Sequence, residues 1–70
     1  MEVLVFKTNL IDHRRINEVE SSLNFHPHIV KWNVDLNDCD NILRIVSSKI
    51  TATEIETLLW NAGYYCKELQ

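Results

Sequence analysis

The four residues Thr51-Ala52-Thr53-Glu54 constrain the fold more than any others in the chain. A threonine followed three positions later by glutamate is a capping box. The threonine hydroxyl accepts from the glutamate amide while the glutamate carboxylate accepts from the threonine amide. Ile50 and Ile55 stand at the two positions of a hydrophobic staple around that box. Ile55, Leu58, Leu59 and Ala62 then recur at helical spacing, and Gly63 falls where a left-handed C-cap belongs. The helix is therefore bounded at both ends, and its single apolar stripe must be covered.

The rest of the chain supplies the cover. Residues 2–7 (Glu2-Val3-Leu4-Val5-Phe6-Lys7) are rich in β-branched and aromatic residues and too short for a helix. They read as a strand, apolar on both faces and hence central in its sheet. Asn9 and Asp12 offer alternative N-caps to a first helix carrying Ile16, Val19 and Leu23, which Asn24 to Pro27 ends. From Ile29 to Leu36, Val30, Trp32, Val34 and Leu36 alternate with Lys31, Asn33 and Asp35, the pattern of a half-buried strand. The polar run Asn37-Asp38-Cys39-Asp40 turns the chain into another strand over 41–47, so the pair reads as a hairpin. Tyr64 to Leu69 supplies the last strand. The order β-α-β-β-α-β predicts an α+β, ferredoxin-like fold: a four-stranded antiparallel sheet with two helices on one face.

Composition bounds the function classes. Seventy residues predict a single domain, residues 1–70, with one core and a narrow margin between burial and conformational entropy. A net charge of −3 and only one adjacent basic pair, Arg14-Arg15, argue against nucleic acid as a partner. No stretch has the length of a membrane span, and the first residues lack a signal peptide's basic start, so the reading is a cytoplasmic chain with no membrane insertion. Cys39 and Cys66, far apart and outside any CxxC, read as reduced thiols.

Several of these segments carry a resemblance. Val34-Asp35-Leu36, Leu43-Arg44-Ile45, Thr51-Ala52-Thr53-Glu54-Ile55 and Ala62-Gly63-Tyr64 resemble the heavy-metal-associated domains, the family of the copper chaperones and of the N-terminal modules of metal-pumping ATPases. The resemblance runs over nearly the whole chain. In that family the loop after the first strand reads Met-Thr-Cys-x-x-Cys, and its two thiolates hold Cu(I), Zn or a similar soft ion. Aligned on Ile16, Val19 and Leu23, this chain has Lys7-Thr8-Asn9-Leu10-Ile11-Asp12 there. The threonine is kept, and the cysteine positions hold Asn9 and Asp12. Amide and carboxylate oxygens suit hard ions rather than Cu(I), and two are too few for Ca²⁺. Both residue types are good helix caps, and Asp12 also complements a helix N-terminus electrostatically.

Other ligand sets are weaker. The topology brings the first loop, the hairpin and the loop before the last strand to one end of the sheet, so His13, Cys39 and Tyr64 are expected as neighbours. His13 and Cys39 with Asp12 or Asp40 offer zinc-like chemistry at a spacing that matches no recognised site. His26-Pro27-His28 places two imidazoles at the opposite end, where Pro27 also accounts for the end of the helix. Ser21, Ser22, Ser47 and Ser48 lack a Gly-x-Ser-x-Gly elbow, and a chain whose one glycine is Gly63 has no glycine-rich phosphate loop. No enzyme and no cofactor are expected.

The surface points to a partner. Trp60 lies about 140° from Ile55 on a helical wheel, off the buried stripe. It stands either as an exposed binding residue or as a cover over the sheet edge. Because the first strand is apolar on both faces and the helices cover only one, an apolar patch is expected on the open sheet face, with Ile42 and Val46 adding to it if Leu43 and Ile45 face the helices. Leu4, Phe6, His13, Trp60 and Tyr64 are the expected contact residues, for another protein or for a homodimer through the open sheet face. Two readings stay open: a small interaction or regulatory module lacking the thiolate site, and a divergent metal-handling accessory protein using non-CxxC ligands.

Overall fold

A computed structural model, which describes residues 1–69, orders the elements as β1 (Glu2–Thr8), α1 (His13–Asn24), β2 (Ile29–Asp35), β3 (Ile42–Ser47), α2 (Ala52–Asn61) and β4 (Cys66–Glu68). The domain expected over residues 1–70 includes Gln70, which lies outside the described residues. The strands form one antiparallel sheet in the order β2-β3-β1-β4. β1 is central, as its two apolar faces require.

Register decides which face each strand residue takes. Leu4 pairs with Ile45 and Phe6 with Leu43, and Trp32 and Val34 continue those two rows into β2. Phe6, Leu43, Ile45 and Cys66 from this face meet Val19 and Leu23 of α1, Ile55 and Leu59 of α2, and the loop residues Leu10 and Ile50 in one core. Leu4, Ile16, Trp32, Val34, Leu58 and Tyr64 pack around it. This corrects the expectation that Leu4 and Phe6 present a contact surface. Phe6 is wholly buried and Leu4 packs on the core. The helices cover the face carrying β1's two largest apolar side chains, because covering leucine and phenylalanine removes more apolar area from water than covering valines. Val3 and Val5 are left on the open face.

The helix ends follow the local chemistry. In α2 the Glu54 amide donates to Thr51 Oγ1 at 3.2 Å and the Thr51 amide to Glu54 Oε1 at 3.5 Å, completing the capping box. Ile50 and Ile55 are both buried. At the other end, the amides of Gly63 and Tyr64 donate to the carbonyls of Trp60 and Leu59, both at 2.9 Å. Gly63 has φ +93°. These two bonds and the left-handed residue make a Schellman motif. Ala62, expected in the apolar stripe, is the exposed C-cap instead.

Two departures lie at the sheet's edges. β2 has a bulge between Ile29 and Lys31, so Val30 leaves the alternation and is exposed while Ile29 packs on the core. A bulge adds one residue to one strand, which simple alternation does not register. β4 is only three residues long, and α2 side chains occupy its outer edge. Glu56 Oε2 accepts from the Glu68 amide at 2.8 Å, and Trp60 Nε1 donates to the Cys66 carbonyl at 3.0 Å. An edge whose donors and acceptors are engaged by side chains does not template strand addition.

Candidate functional site

The first loop, where the resemblance places a metal site, is built around Thr8. Its side chain is buried, and Oγ1 donates to the Asn41 carbonyl at 2.6 Å while accepting from the Leu10 amide at 3.1 Å. The Thr8 amide donates to the Asp40 carbonyl at 3.1 Å. One threonine thus ties the loop to the β2–β3 hairpin. Asn41 has φ +46°, a left-handed conformation asparagine adopts more readily than most residues. This turns its carbonyl to Thr8 before β3 begins.

Asn9 and Asp12 are each engaged by backbone. Asn9 Oδ1 accepts from the Tyr65 amide at 2.9 Å, and its carbonyl accepts from an Arg15 guanidinium nitrogen at 3.2 Å. Asp12 Oδ1 accepts from the Arg15 amide at 2.9 Å and is the N-cap of α1. Of the two expected caps, therefore, Asp12 caps the helix while Asn9 fastens the loop to the segment leading into β4. Leu10 between them is fully buried and anchors the loop to the core. The first loop, the hairpin and the residues before β4 do lie at one end of the sheet, linked by these bonds.

The ligand set sketched from sequence comes together only in part. Among the described residues, the ligand atoms of Asp38, Cys39 and Asp40 lie within 4.8 Å of one another, and neither His13 nor Asp12 belongs to that group. The group is engaged internally. Asp38 Oδ1 accepts from the Asp40 amide at 2.9 Å, and Asp40 Oδ1 pairs with Lys7 Nζ at 3.4 Å. His13 is exposed on the first turn of α1. The His26 and His28 rings lie 5.8 Å apart with their planes tilted by 54°, and His26 Nδ1 accepts from the His28 amide at 3.2 Å. That bond uses one of the imidazole lone pairs a metal needs.

The two thiols differ sharply. Cys39 is exposed, whereas Cys66 is buried against Thr8 in the sheet. Burial, with a smaller contribution from the Glu56 carboxylate, pushes the Cys66 thiol up to about 12. It stays protonated at neutral pH and lacks the thiolate that reacts or ligates. Alkylation of the native protein with iodoacetamide is expected to add one adduct, at Cys39, with Cys66 reacting only after denaturation. Peptide mass mapping checks this, and rapid native labelling of Cys66 contradicts its burial.

Trp60 is both exposed and fastened to the sheet edge. It is 55% exposed, yet its indole N–H is bound to the Cys66 carbonyl. Tyr64 is half-buried on the core and His13 exposed. On the open sheet face Val46 lies where the sequence places it, whereas Val3, Lys31 and Arg44 are not among the contact residues expected from sequence. With Trp32 and Asn33 all four line a depression of about 300 Å³.

Comparison with known proteins turns on backbone geometry. No family sequence model matches the chain, and no curated protein matches it at a significant level. Solved structures do match. The yeast copper transporter domain Ccc2a superposes with a TM-score of 0.84 at 15% identity, over 100% of this chain and 97% of that one. A chain of the Atx1-Cu(I)-Ccc2a complex gives the same TM-score, identity and coverage. The fold is that of the heavy-metal-associated domains. The heavy-metal-associated domain of the copper chaperone for superoxide dismutase aligns at a TM-score of 0.79 and 18% identity, over 97% of this chain and 66% of that one. At identities this low the superpositions show the fold alone, and the chemistry of the first loop has to be read from Thr8, Asn9 and Asp12 themselves. No helix among the described residues is long and apolar enough to cross a membrane.

Proposed function

We propose that this chain is a protein-interaction or regulatory module on the heavy-metal-associated fold, non-enzymatic and cytoplasmic, acting without a thiolate pair in its first loop. The observation that carries this reading is the employment of Asn9 and Asp12. One side chain fastens the segment before β4 and the other caps α1. A loop whose polar groups brace the backbone and whose remaining anchor, Leu10, is buried has no soft donor to offer Cu(I). The match to a chain of the Atx1-Cu(I)-Ccc2a complex supports the interaction half of the reading, because that structure is a complex between proteins.

A second reading has its own observation. The Asp38, Cys39 and Asp40 ligand atoms lie close enough to share an ion, which favours a metal-handling accessory protein using the hairpin. Titration of the tag-free, reduced, ¹⁵N-labelled protein with Cu(I), Zn and Ni, followed by amide shifts, separates the two. The interaction reading predicts no saturable shifts at the hairpin or first loop and at most weak ones at His26 and His28. Saturable shifts at Asp38, Cys39 and Asp40 at micromolar metal establish the second reading and reject the first.

A further inference from the structure

We infer that the open face of the sheet is a docking surface for an acidic protein segment that carries apolar residues between its carboxylates. This rests on the interaction-module reading above and names its surface and partner chemistry. Charge is sorted by register. Three rows of the open face can be read across the strands: Lys31, Val46 and Val3; Asn33, Arg44 and Val5; and Asp35 beside Ile42, which is buried and so does not add to an exposed apolar patch as expected. Lys7 and Lys67 pair directly on the same face. The face therefore carries Lys7, Lys31, Arg44 and Lys67, four of the chain's seven basic residues, with Asp35 the one acidic residue at its strand positions and Asp40 reaching Lys7 from the hairpin. A chain of net charge −3 has gathered most of its cations onto one surface.

The cations there are largely unspent. Among the described residues, Lys31, Arg44 and Lys67 make no ion pair, and Lys7 reaches Asp40 only at a separation of 3.4 Å between exposed groups. Like charges directly opposite on neighbouring strands destabilise a sheet, so the Lys7–Lys67 pair contributes nothing to folding that another residue could not supply better. Between the cations lie aliphatic side chains. Val3 is 63% exposed, and Val3, Val46, Lys31 and Arg44 all line the depression of about 300 Å³. That geometry seats one aliphatic or aromatic side chain and places carboxylates flanking it against the two cations.

Charge also selects among occupants. A second copy docked face to face sets a cationic surface against its own image, and opposed like charges discriminate strongly against a partner. Nucleic acid is attracted by the cations, but single strands are held by stacking on aromatic rings. The one aromatic beside the depression, Trp32, is half-buried, with its indole N–H bound to Asn24 Oδ1 at 2.8 Å.

The test uses the tag-free, ¹⁵N-labelled full chain at low salt. The probe is a blocked peptide alternating glutamate and leucine, compared with its lysine–leucine counterpart and with oligouridylate. Saturable shifts are expected at Val3, Lys31, Arg44 and Val46 with the acidic peptide only, weakening as salt screens the charges. The exposed double variant Lys31→Glu/Arg44→Glu is expected to weaken binding at least about tenfold. Lys67→Glu, which relieves the like-charge pair, gives a smaller loss and guards against misfolding of the double variant. Shifts elsewhere or none overturn the proposal, as does equal binding of the lysine peptide or tighter binding of oligouridylate at these residues. A doubled sedimentation mass, with the same residues shifting on concentration alone, overturns it in favour of a second copy. If the acidic peptide leaves this face untouched while no metal binds, only the surface assignment fails. Metal saturation at Cys39 instead removes the reading on which it rests.

Discussion

Phe6→Ala is expected to leave most of the protein unfolded at room temperature. Phe6 is wholly buried at the centre of the sheet, opposite Leu43, within the core formed with Val19, Leu23, Ile55 and Leu59. Truncating a buried phenylalanine to alanine costs about 3–5 kcal/mol, combining lost transfer energy with the cavity left behind. Total stability at ~0.05–0.15 kcal/mol per residue amounts to about 3.5–10 kcal/mol for a chain of this length, and small cores sit low in that range. The loss is therefore comparable to the whole margin. Val5→Ala, one residue away on the opposite face, removes fewer carbon atoms from a half-exposed site and is expected to cost less than about 1 kcal/mol. Urea denaturation followed by circular dichroism compares the two. Equal losses contradict the assignment of the helices to the Phe6 face.

That assignment marks the boundary of what the sequence discloses. The capping box at Thr51, the end of α2 at Gly63 and the central place of β1 are local signals, and each is found where the residues imply it. The face of β1 is a different kind of question. Val3-Leu4-Val5-Phe6 is apolar at both parities, so periodicity alone leaves the choice open. Only the register with Leu43 and Ile45 and the bulk of the side chains settle it. The bulge at Val30 and the left-handed Asn41 are likewise invisible to alternation, because one inserted residue and one unusual φ leave the composition of a strand unchanged.

The first loop was partly legible. Cap statistics point to Asp12, and it is the cap. The partnership of Asn9 with Tyr65 spans most of the chain, beyond the reach of local reasoning. The cation-rich face was not legible at all. Its basic residues come from all four strands, and no stretch of sequence looks basic. They gather only when the antiparallel register lines them up.

The second large effect is a gain of metal binding. Asn9→Cys/Asp12→Cys sets two thiols at the loop positions that hold the family's cysteines by alignment. The loop stays braced by Thr8 against Asn41 and by buried Leu10, and thiols beside a helix N-terminus have lowered pKa values and more thiolate. Two thiolates suit Cu(I) as the native amide and carboxylate oxygens do not. The metal-free variant is expected to be less stable by about 1 kcal/mol for the lost cap and about 1 kcal/mol for the lost Asn9 hydrogen bond. Cu(I), binding only the folded form, should restore that stability by mass action.

The wild-type arm of that comparison bears most directly on the central claim, that Asn9 and Asp12 brace the loop rather than hold a metal. Tag-free, reduced wild type and the double variant are titrated with Cu(I) against a chromophoric competitor, with amide shifts recorded at Asn9, Leu10 and Asp12 in the wild type. One Cu(I) per chain is expected for the variant, and no withdrawal of Cu(I) from the competitor by the wild-type loop. Stoichiometric Cu(I) uptake by the wild type, with saturating shifts at Asn9 and Asp12, would contradict that claim.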